Sequence, residues 1–158
     1  MLPKPFKEFI ELLEKNQVKY LVVGGYAVSV HGYPRYTGDL DIFIAIESKN
    51  ARGILKTFRD FGFTDLEIDE SDFLEADTIV EIGREPLKIQ VMNEISGVSF
   101  AEADATKIFV PVDGVQVPFI SLDMLIRNKL STKRDKDRVD AEILKKRNES
   151  RQSGSGED

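Results

Sequence analysis

The stretch that decides the fold starts with Val-Gly-Gly at residues 23–25 and resumes, after thirteen residues, with Asp-Leu-Asp-Ile at residues 39–42. The apolar run at residues 18–23 predicts a buried strand that leads into the two glycines. Because glycine has no Cβ atom, the backbone of such a turn can approach a phosphate closely. A Gly-Gly pair is also common as a plain structural turn, so the aspartates that follow it carry more weight.

The two aspartates lie at the start of a second predicted strand, residues 40–46: Asp39 directly precedes it and Asp41 lies within it. Residues two apart on a strand project from the same face, about 7 Å apart, so Asp39 and Asp41 share one face while Leu40 and Ile42 share the other. Like charges this close disfavour each other unless cations neutralise them. Oxygen ligands suit Mg²⁺, or Mn²⁺, so the pair predicts a metal site. Two exposed aspartates on an edge strand are the alternative, which the apolar opposite face argues against.

Composition narrows the class of protein. A chain of 158 residues is long enough for one domain, and its 41 % hydrophobic content is typical of a globular protein. No apolar run approaches the roughly 20 residues that cross a bilayer, and residues 1–5 lack the pattern of a secretory leader. With no cysteine, disulfides and thiolate metal sites are excluded. We therefore expect a cytoplasmic protein with no membrane segment.

Charge is distributed unevenly along the chain. The net charge is −6, but residues 1–121 are acidic whereas residues 122–147 are basic. The acidic bulk argues against nonspecific binding to a polyanion. The basic segment is read either as a set of local phosphate contacts or as a solvated helical face.

Apolar periodicity and turn residues place the elements. They predict helices at 5–16, 26–31, 50–61, 122–130 and 136–147, and strands at 18–23, 40–46, 79–82, 87–92, 107–112 and 115–119. The last four strands pair as two hairpins, and Ser121 is expected to cap the helix that follows it. Alternation followed by hairpins predicts an α+β fold, a mixed sheet flanked by helices. Residues 1–147 are expected to form one domain, with C-terminal helices at about 121–147 and a disordered tail at 148–158.

The glycine–aspartate pattern resembles that of the nucleotidyltransferase superfamily of DNA polymerase beta. The wider stretch 24–41, with 95–100 and 128–140, looks more specifically like small bacterial nucleotidyltransferase-like proteins related to the abortive-infection and toxin–antitoxin nucleotidyltransferases. The resemblance covers most of residues 18–144. It implies a short mixed sheet flanked by helices, which agrees with the fold expected from the patterns.

The resemblance also implies roles for individual residues. Gly24 and Gly25 would contact a nucleoside triphosphate, and Asp39 and Asp41 would hold Mg²⁺ and carry catalysis. Arg35 and Thr37 would lie at the mouth of the same site. For Arg35, pairing with a phosphate and a surface salt bridge are both open.

Two further side chains are singled out in the C-terminal half of the domain and near the glycine turn. Lys129 interrupts an apolar segment and is expected to reach the triphosphate or the acceptor, with a surface ion pair to Asp137 or Asp140 as the alternative. His31, the only histidine, is expected to pack or to cap a helix rather than to contact a ligand.

The third carboxylate of the superfamily is replaced here. The resemblance places it at the middle of Ile89-Gln90-Val91, where this chain has the neutral amide Gln90. An amide is a weak metal ligand and cannot act as a general base near neutral pH. Three readings stay open: two aspartates suffice, another acid such as Glu81 or Glu94 substitutes, or the protein binds a nucleotide without turnover.

The first hypothesis is thus a Mg²⁺-dependent nucleotidyltransferase. It would move a nucleoside monophosphate from a nucleoside triphosphate to a hydroxyl on a protein side chain or an RNA end, with release of pyrophosphate. The alternative is a catalytically weak nucleotide-binding module that acts through a partner protein such as an antitoxin or regulator. Acceptor recognition would come from the C-terminal helices, a homodimer or a partner protein.

Overall fold

A computed structural model describes residues 2–34 and 37–155 of the chain. Within these residues the chain forms helices and strands that alternate at first and then run as hairpins. In chain order the elements are α1 (Lys4–Lys15), β1 (Tyr20–Val23), α2 (Gly24–Val30), β2 (Asp39–Ile44), α3 (Ser48–Asp60), α4 (Glu70–Leu74), β3 (Ile79–Arg84), β4 (Leu87–Met92), α5 (Phe100–Ala105), β5 (Ile108–Val112), β6 (Val115–Phe119), α6 (Leu122–Ser131) and α7 (Asp135–Ser155).

One mixed sheet organises these elements. Its six strands lie in the order β3-β4-β2-β1-β6-β5. β2 runs parallel to β4 and β1 runs parallel to β6, whereas the remaining neighbours are antiparallel. The two hairpins therefore form the two edges, and β1 and β2 lie in the middle. The α+β class predicted from the sequence is confirmed.

The two faces of the central strand β2 differ in burial. Leu40, Ile42 and Ile44 are completely buried on one face. Asp39 and Asp41 lie on the other face and are half-buried. The alternative of two exposed aspartates on an edge strand is therefore wrong, because β2 has a hydrogen-bonded neighbour on both sides.

Aromatic packing holds the first helices together. The Phe9 ring of α1 lies 6.1 Å from the Phe58 ring of α3 and 5.2 Å from the Phe61 ring that follows α3. Phe58 also contacts Phe73 of α4, with ring centroids 6.1 Å apart. Burial of each such ring stabilises the fold by roughly 2–3 kcal/mol. None of the helices in the described ranges combines the length and the apolar character that crossing a membrane requires.

Both predicted hairpins are confirmed, and so is the helix cap at Ser121. The two strand pairs turn at Glu85-Pro86 and at Asp113-Gly114. The Ser121 hydroxyl accepts a hydrogen bond from the Met124 backbone N–H at 3.4 Å. Local turn and cap chemistry specified these features directly.

Four helices differ from the expectation, one of them being α4, which was not predicted. α2 begins at Gly24 itself rather than at Tyr26, so the glycine turn is already the first turn of the helix. α5 was missed, although Ser99 and Glu102 form a reciprocal capping box at its start. α7 runs to Ser155, beyond the helix end predicted at residue 147. The straight-chain residues Glu149, Arg151 and Gln152 favour helix there, and residues 156–158 lie outside the described part.

His31 ties the glycine-turn helix to the sheet. It follows α2 and is buried, and its Nε2 lies 2.7 Å from the backbone oxygen of Ile120. Since a carbonyl only accepts, Nε2 carries the hydrogen and donates it. The packed role expected for this residue is therefore the one that the contacts support. Burial lowers the pKa of His31, Arg151 lowers it further, and the hydrogen bond to Ile120 opposes both.

We predict that His31 makes the protein less stable at acidic pH. Its pKa is about 6.5 in the unfolded chain and lower in the fold, so the unfolded state binds the proton more readily. Stability contributed by neutral His31 is therefore lost as the pH falls below about 6.5. NMR titration of this single imidazole is expected to give a midpoint below that of the urea-unfolded chain. His31→Gln, which keeps a donor for Ile120, is expected to remove this part of the pH dependence; a folded-state midpoint at or above the unfolded one would contradict the prediction.

Candidate active site

The glycine turn brings the start of α2 against β2. Val23 at the end of β1 is the register partner of Asp41, so Gly24 lies beside that aspartate. Gly24 has a φ of +69°, a conformation that side-chain-bearing residues rarely adopt. A Cβ atom on Gly24 would collide with the Asp41 carboxylate. The first glycine is therefore required both by its backbone conformation and by the space available.

The second glycine makes room for Thr37. A Cβ atom on Gly25 would lie 2.6 Å from the Thr37 Cγ2 atom, which is too close for any real contact. The Tyr26 hydroxyl donates a hydrogen bond to the Thr37 backbone oxygen at 3.3 Å. Thr37 thus lies at the glycine turn, where the sequence placed it. Arg35, the other residue predicted at this mouth, lies outside the described residues.

The space in front of β2 is a cleft with two lobes. One lobe of about 560 Å³, the glycine lobe, is bounded by residues 24–25, residues 37–39 and the far end of the β3–β4 hairpin. The other, of about 740 Å³, the loop lobe, is bounded by residues 94–99, Asp77 and Asn128. The side chains that line both lobes mark where they meet: Asp41, Gln90, Lys129, Arg134 and Asp137.

Asp41 is the most perturbed carboxyl group in this cleft. Its Oδ1 atom is buried and has no hydrogen-bond partner among the residues that the structure describes. Burial raises the pKa of Asp41 to about 7, the nearby Asp39 charge adds to the effect, and Lys129 opposes it. The ionised form is therefore destabilised by the protein alone. A cation bound at this point would reverse that balance.

The residues present fit a hard divalent cation. Asp39 and Asp41 offer carboxylate oxygens from one face of β2, and the buried, unpartnered Oδ1 of Asp41 lacks the counterpart that a cation would supply. Asp39 also lines the glycine lobe together with Gly24 and Gly25, at the start of α2, which has no side-chain cap. Metal and triphosphate would therefore meet at one place.

Gln90, the residue at which the resemblance expects a third carboxylate, lies beside Asp41. It is the register partner of Asp41 on the neighbouring parallel strand β4, so both side chains leave the sheet on the same face. Neither of the two acids considered as substitutes joins the aspartates. Within the described ranges, no three acidic or histidine side chains lie close enough to hold a metal ion together. Glu81 instead accepts a hydrogen bond from Gln90 and pairs with Lys88.

Lys129 is held by a buried network on α6 and α7. Its Nζ lies 3.0 Å from Asp137 and 3.5 Å from Asp140, and all three side chains are at most 10 % exposed. Asp137 also accepts hydrogen bonds from Thr132 at 2.7 Å and Arg134 at 2.9 Å. The ion pair is thus buried rather than at the surface, and its cation faces the cleft. Removing one partner of such a pair typically costs several kcal/mol.

Comparison with known proteins agrees with this geometry. The sequence profile of the aminoglycoside-2''-adenylyltransferase family matches residues 6–144, nearly the whole chain. The chain belongs to this family. It is therefore a member of the nucleotidyltransferase superfamily, as the glycine–aspartate pattern indicated. No curated protein matches its sequence at a significant level. The narrower likeness to abortive-infection and toxin–antitoxin proteins stays a prediction.

Solved structures share the fold of this family member at low sequence identity. The inferred nucleotidyltransferase TM1012 from Thermotoga maritima superposes with a TM-score of 0.62 at 19 % identity, over 92 % of this chain and 91 % of that one. The lincosamide antibiotic adenylyltransferase LnuA, bound to lincomycin, gives 0.60 at 15 %, over 92 % and 97 %. The antibiotic-resistance factor ANT(2'')-Ia gives 0.54 at 9 %, over 97 % and 94 %. These likenesses establish the fold alone.

Sequence reasoning missed the loop lobe. Its wall at residues 94–99 is held to α6 by the Asn128 side chain, which donates to the Ser96 backbone oxygen at 2.9 Å. Gly97 has a φ of +74° and leaves no room for a Cβ atom beside Ser131. The tight Ser-Gly sequence at 96–97 was a turn signal, but which helix it meets depends on the tertiary fold.

We predict that Asp41→Asn stabilises the metal-free protein at high pH. The folded-state pKa of Asp41 is raised above its unfolded value of 3.8, to about 7. The folded state therefore binds this proton more tightly, and stability falls as the pH rises between those values. In EDTA at pH 8, the variant is expected to melt at least about 5 °C above wild type, and at pH 4 the difference should vanish. The exposed residue Asp65 supplies the matched control, Asp65→Asn, which should not shift melting; a lower melting temperature for Asp41→Asn at pH 8 would contradict the prediction.

Proposed function

We propose that this protein is a Mg²⁺-dependent nucleotidyltransferase, with Mn²⁺ able to replace Mg²⁺. It moves a nucleoside monophosphate from a nucleoside triphosphate to an acceptor hydroxyl and releases pyrophosphate. ATP is the donor that the family name suggests. Such triphosphates are made and used in the cytoplasm, so a cytoplasmic location is part of what we propose.

The observation that carries the proposal is the pair of half-buried aspartates beneath the glycine turn. Asp39 and Asp41 face a cleft whose other wall is the start of α2, and Asp41 keeps a buried oxygen without a protein partner. Two half-buried acidic side chains lower the stability of the fold, and strongly perturbed groups of this kind commonly lie at functional sites. Transfer of a phosphorus group needs mainly positioning and charge neutralisation, which this arrangement supplies.

The chain's own residues would bind and align the reactants. Gly24 and Gly25 let the start of α2 approach the triphosphate, while Lys129 and Arg134 offset its charge from the opposite wall. Asp39 and Asp41 would hold Mg²⁺. When bound, the metal would neutralise charge that develops on the phosphate oxygens.

The reaction itself forms one bond and breaks one. The acceptor oxygen attacks the α-phosphorus, and the bond from that phosphorus to the oxygen bridging to the β-phosphate breaks. Pyrophosphate leaves with the electron pair. Because the Gln90 amide cannot accept a proton, the hydroxyl proton passes to water in the open cleft.

For the acceptor, we propose a small molecule that carries both hydroxyl and amine groups. The family is named for aminoglycosides, and the neighbour LnuA is described as bound to lincomycin. The loop lobe has Asp77 and Glu94 on its wall, and these charges would complement an ammonium group. Acceptor hydroxyls on a protein side chain or an RNA end are the competing outcomes of the test.

A second candidate is favoured by one observation. Gln90 lies directly beside Asp41 in the place of a carboxylate, so a general base is missing. Loss of a general base typically slows a reaction by ~10²–10⁴-fold. The protein would then be a catalytically weak nucleotide-binding module that acts through a partner protein.

Transfer of label from α-labelled ATP tests these candidates. With Mg²⁺ or Mn²⁺ and separate aminoglycoside, protein and RNA acceptors, wild type is expected to label the aminoglycoside. Asp39→Asn and Asp41→Asn are each expected to reduce transfer by about 10²-fold or more, because charge neutralisation is lost. Asp65→Asn, an exposed aspartate away from the cleft, should leave transfer unchanged.

The other outcomes separate the two candidates. Binding of ATP without transfer by wild type, together with transfer by Gln90→Asp, would favour the weak module over the transferase. Labelling of RNA or protein instead of the aminoglycoside would overturn the proposed acceptor alone. Failure to bind any nucleoside triphosphate would overturn both candidates.

A further inference from the structure

Three polar side chains form a row across neighbouring strands. Asp41 on β2 is the register partner of Gln90 on β4, and Gln90 is the register partner of Glu81 on β3. Register partners project from the same face of a sheet. Gln90 therefore stands between the aspartate of the cleft and a glutamate at the outer edge. The Glu81 side chain is 44 % exposed, so water could satisfy it and burial does not force it to pair with Gln90 or Lys88.

The hydrogen bond to Glu81 decides how the Gln90 amide is turned. Its Nε2 lies 3.2 Å from the Glu81 Oε2 atom. The other oxygen of this carboxylate, Oε1, pairs with the Lys88 ammonium at 2.9 Å, so Glu81 accepts from both neighbours and Gln90 is the donor. The amide nitrogen therefore faces β3, which leaves the amide oxygen as the atom of Gln90 that can face its register partner Asp41 on β2. A carbonyl oxygen in that place is a neutral, hard ligand for a divalent cation.

Lys88 is the second side chain that Glu81 holds. It is the register partner of Asp39 and lies two residues before Gln90, so it leaves the sheet on the face of the aspartates. Its Nζ pairs instead with Glu81 and Glu85, at 2.9 Å in each case. An ammonium group on Asp39 would compete with a metal ion for that carboxylate. Glu81 thus helps to draw a competing cation away from the metal site.

We propose that Glu81 is a positioning residue of the metal site, acting through Gln90 and Lys88. The proposal rests on the proposed function, since it assumes a cation between Asp39 and Asp41. The third ligand position then holds an amide oxygen turned by an outer carboxylate, and the change from acid to amide is not by itself the loss of a ligand. Outer partners of this kind typically change metal affinity by about 10–100-fold.

Direct measurement of Mn²⁺ affinity tests the proposal without turnover. Free Mn²⁺ is followed by electron paramagnetic resonance in the presence of a non-hydrolysable ATP analogue. Glu81→Gln is expected to weaken Mn²⁺ binding by about tenfold, with an unchanged melting temperature because the side chain is half exposed. Glu85→Gln is the matched control: it removes the other partner of Lys88 but keeps the Gln90–Glu81 hydrogen bond. It is expected to weaken binding less than threefold.

Exchanging the two residues tests whether residue 90 holds a ligand position. The double variant Glu81→Gln, Gln90→Glu keeps the net charge and an amide–carboxylate pair, but places the carboxylate beside Asp41. Its Mn²⁺ affinity is expected to return to at least the wild-type value. Because a carboxylate at residue 90 would bind the cation directly, recovery would show that residue 90 faces the metal site, whereas Glu81→Gln with its Glu85→Gln control tests the positioning role.

The outcomes distinguish this inference from the proposed function. Wild-type Mn²⁺ binding that Glu81→Gln leaves unchanged, or a double variant that stays weak, would overturn the inference alone. Wild type that binds no Mn²⁺ with the ATP analogue would overturn the proposed metal site, and the inference with it.

Discussion

The close approach between the Gly24 backbone and the Asp41 carboxylate is the constraint on which the rest of the cleft depends. Pairing of β1 with β2 puts Val23 opposite Asp41, so a strand end, a helix start and a carboxylate meet at one point. Only glycine fits there. The other oxygen of the Asp41 carboxylate, Oδ1, is buried, and no described residue hydrogen-bonds it. The fold thus contains an acidic group that lowers its stability, and such groups are commonly found at functional sites.

The C-terminal helices supply the opposite charge. Lys129 lies between Asp137 and Asp140 on α7, so a buried cation is fixed on the far wall of the cleft. Its charge opposes the rise in the pKa of Asp41. Since desolvated ion pairs of this kind contribute little net stability, the network is better explained by what it positions. At least this part of the basic segment is therefore more than a solvated helical face.

Local sequence patterns predicted most of the fold, and the elements that they missed show the limit of such patterns. Both hairpins and the Ser121 cap follow from turn and cap chemistry within a few residues. α5 was not predicted because it is short. Its only fully buried side chain is Ala103, so its sequence shows no apolar periodicity. The end of α7 escaped because Ser and Gly near residue 153 suggested a tail, while the charged residues before them favour helix.

The sequence by itself determined the chemistry that is local: a glycine turn, two carboxylates on one strand face and an amide where an acid was expected. Spacing along a strand or a turn is enough for this, because backbone geometry repeats every few residues. Only the tertiary structure decided which strands are neighbours. It placed Gln90 beside Asp41, brought Glu81 to the other side of that amide, and buried Lys129 between two aspartates. Asp41 and Gln90 are far apart in the chain, and strand order, which no local period encodes, brings them together. Glu81 and Gln90 are nearer in the chain, as are Lys129 and Asp137, but hairpin register and helix packing decide which of their atoms meet.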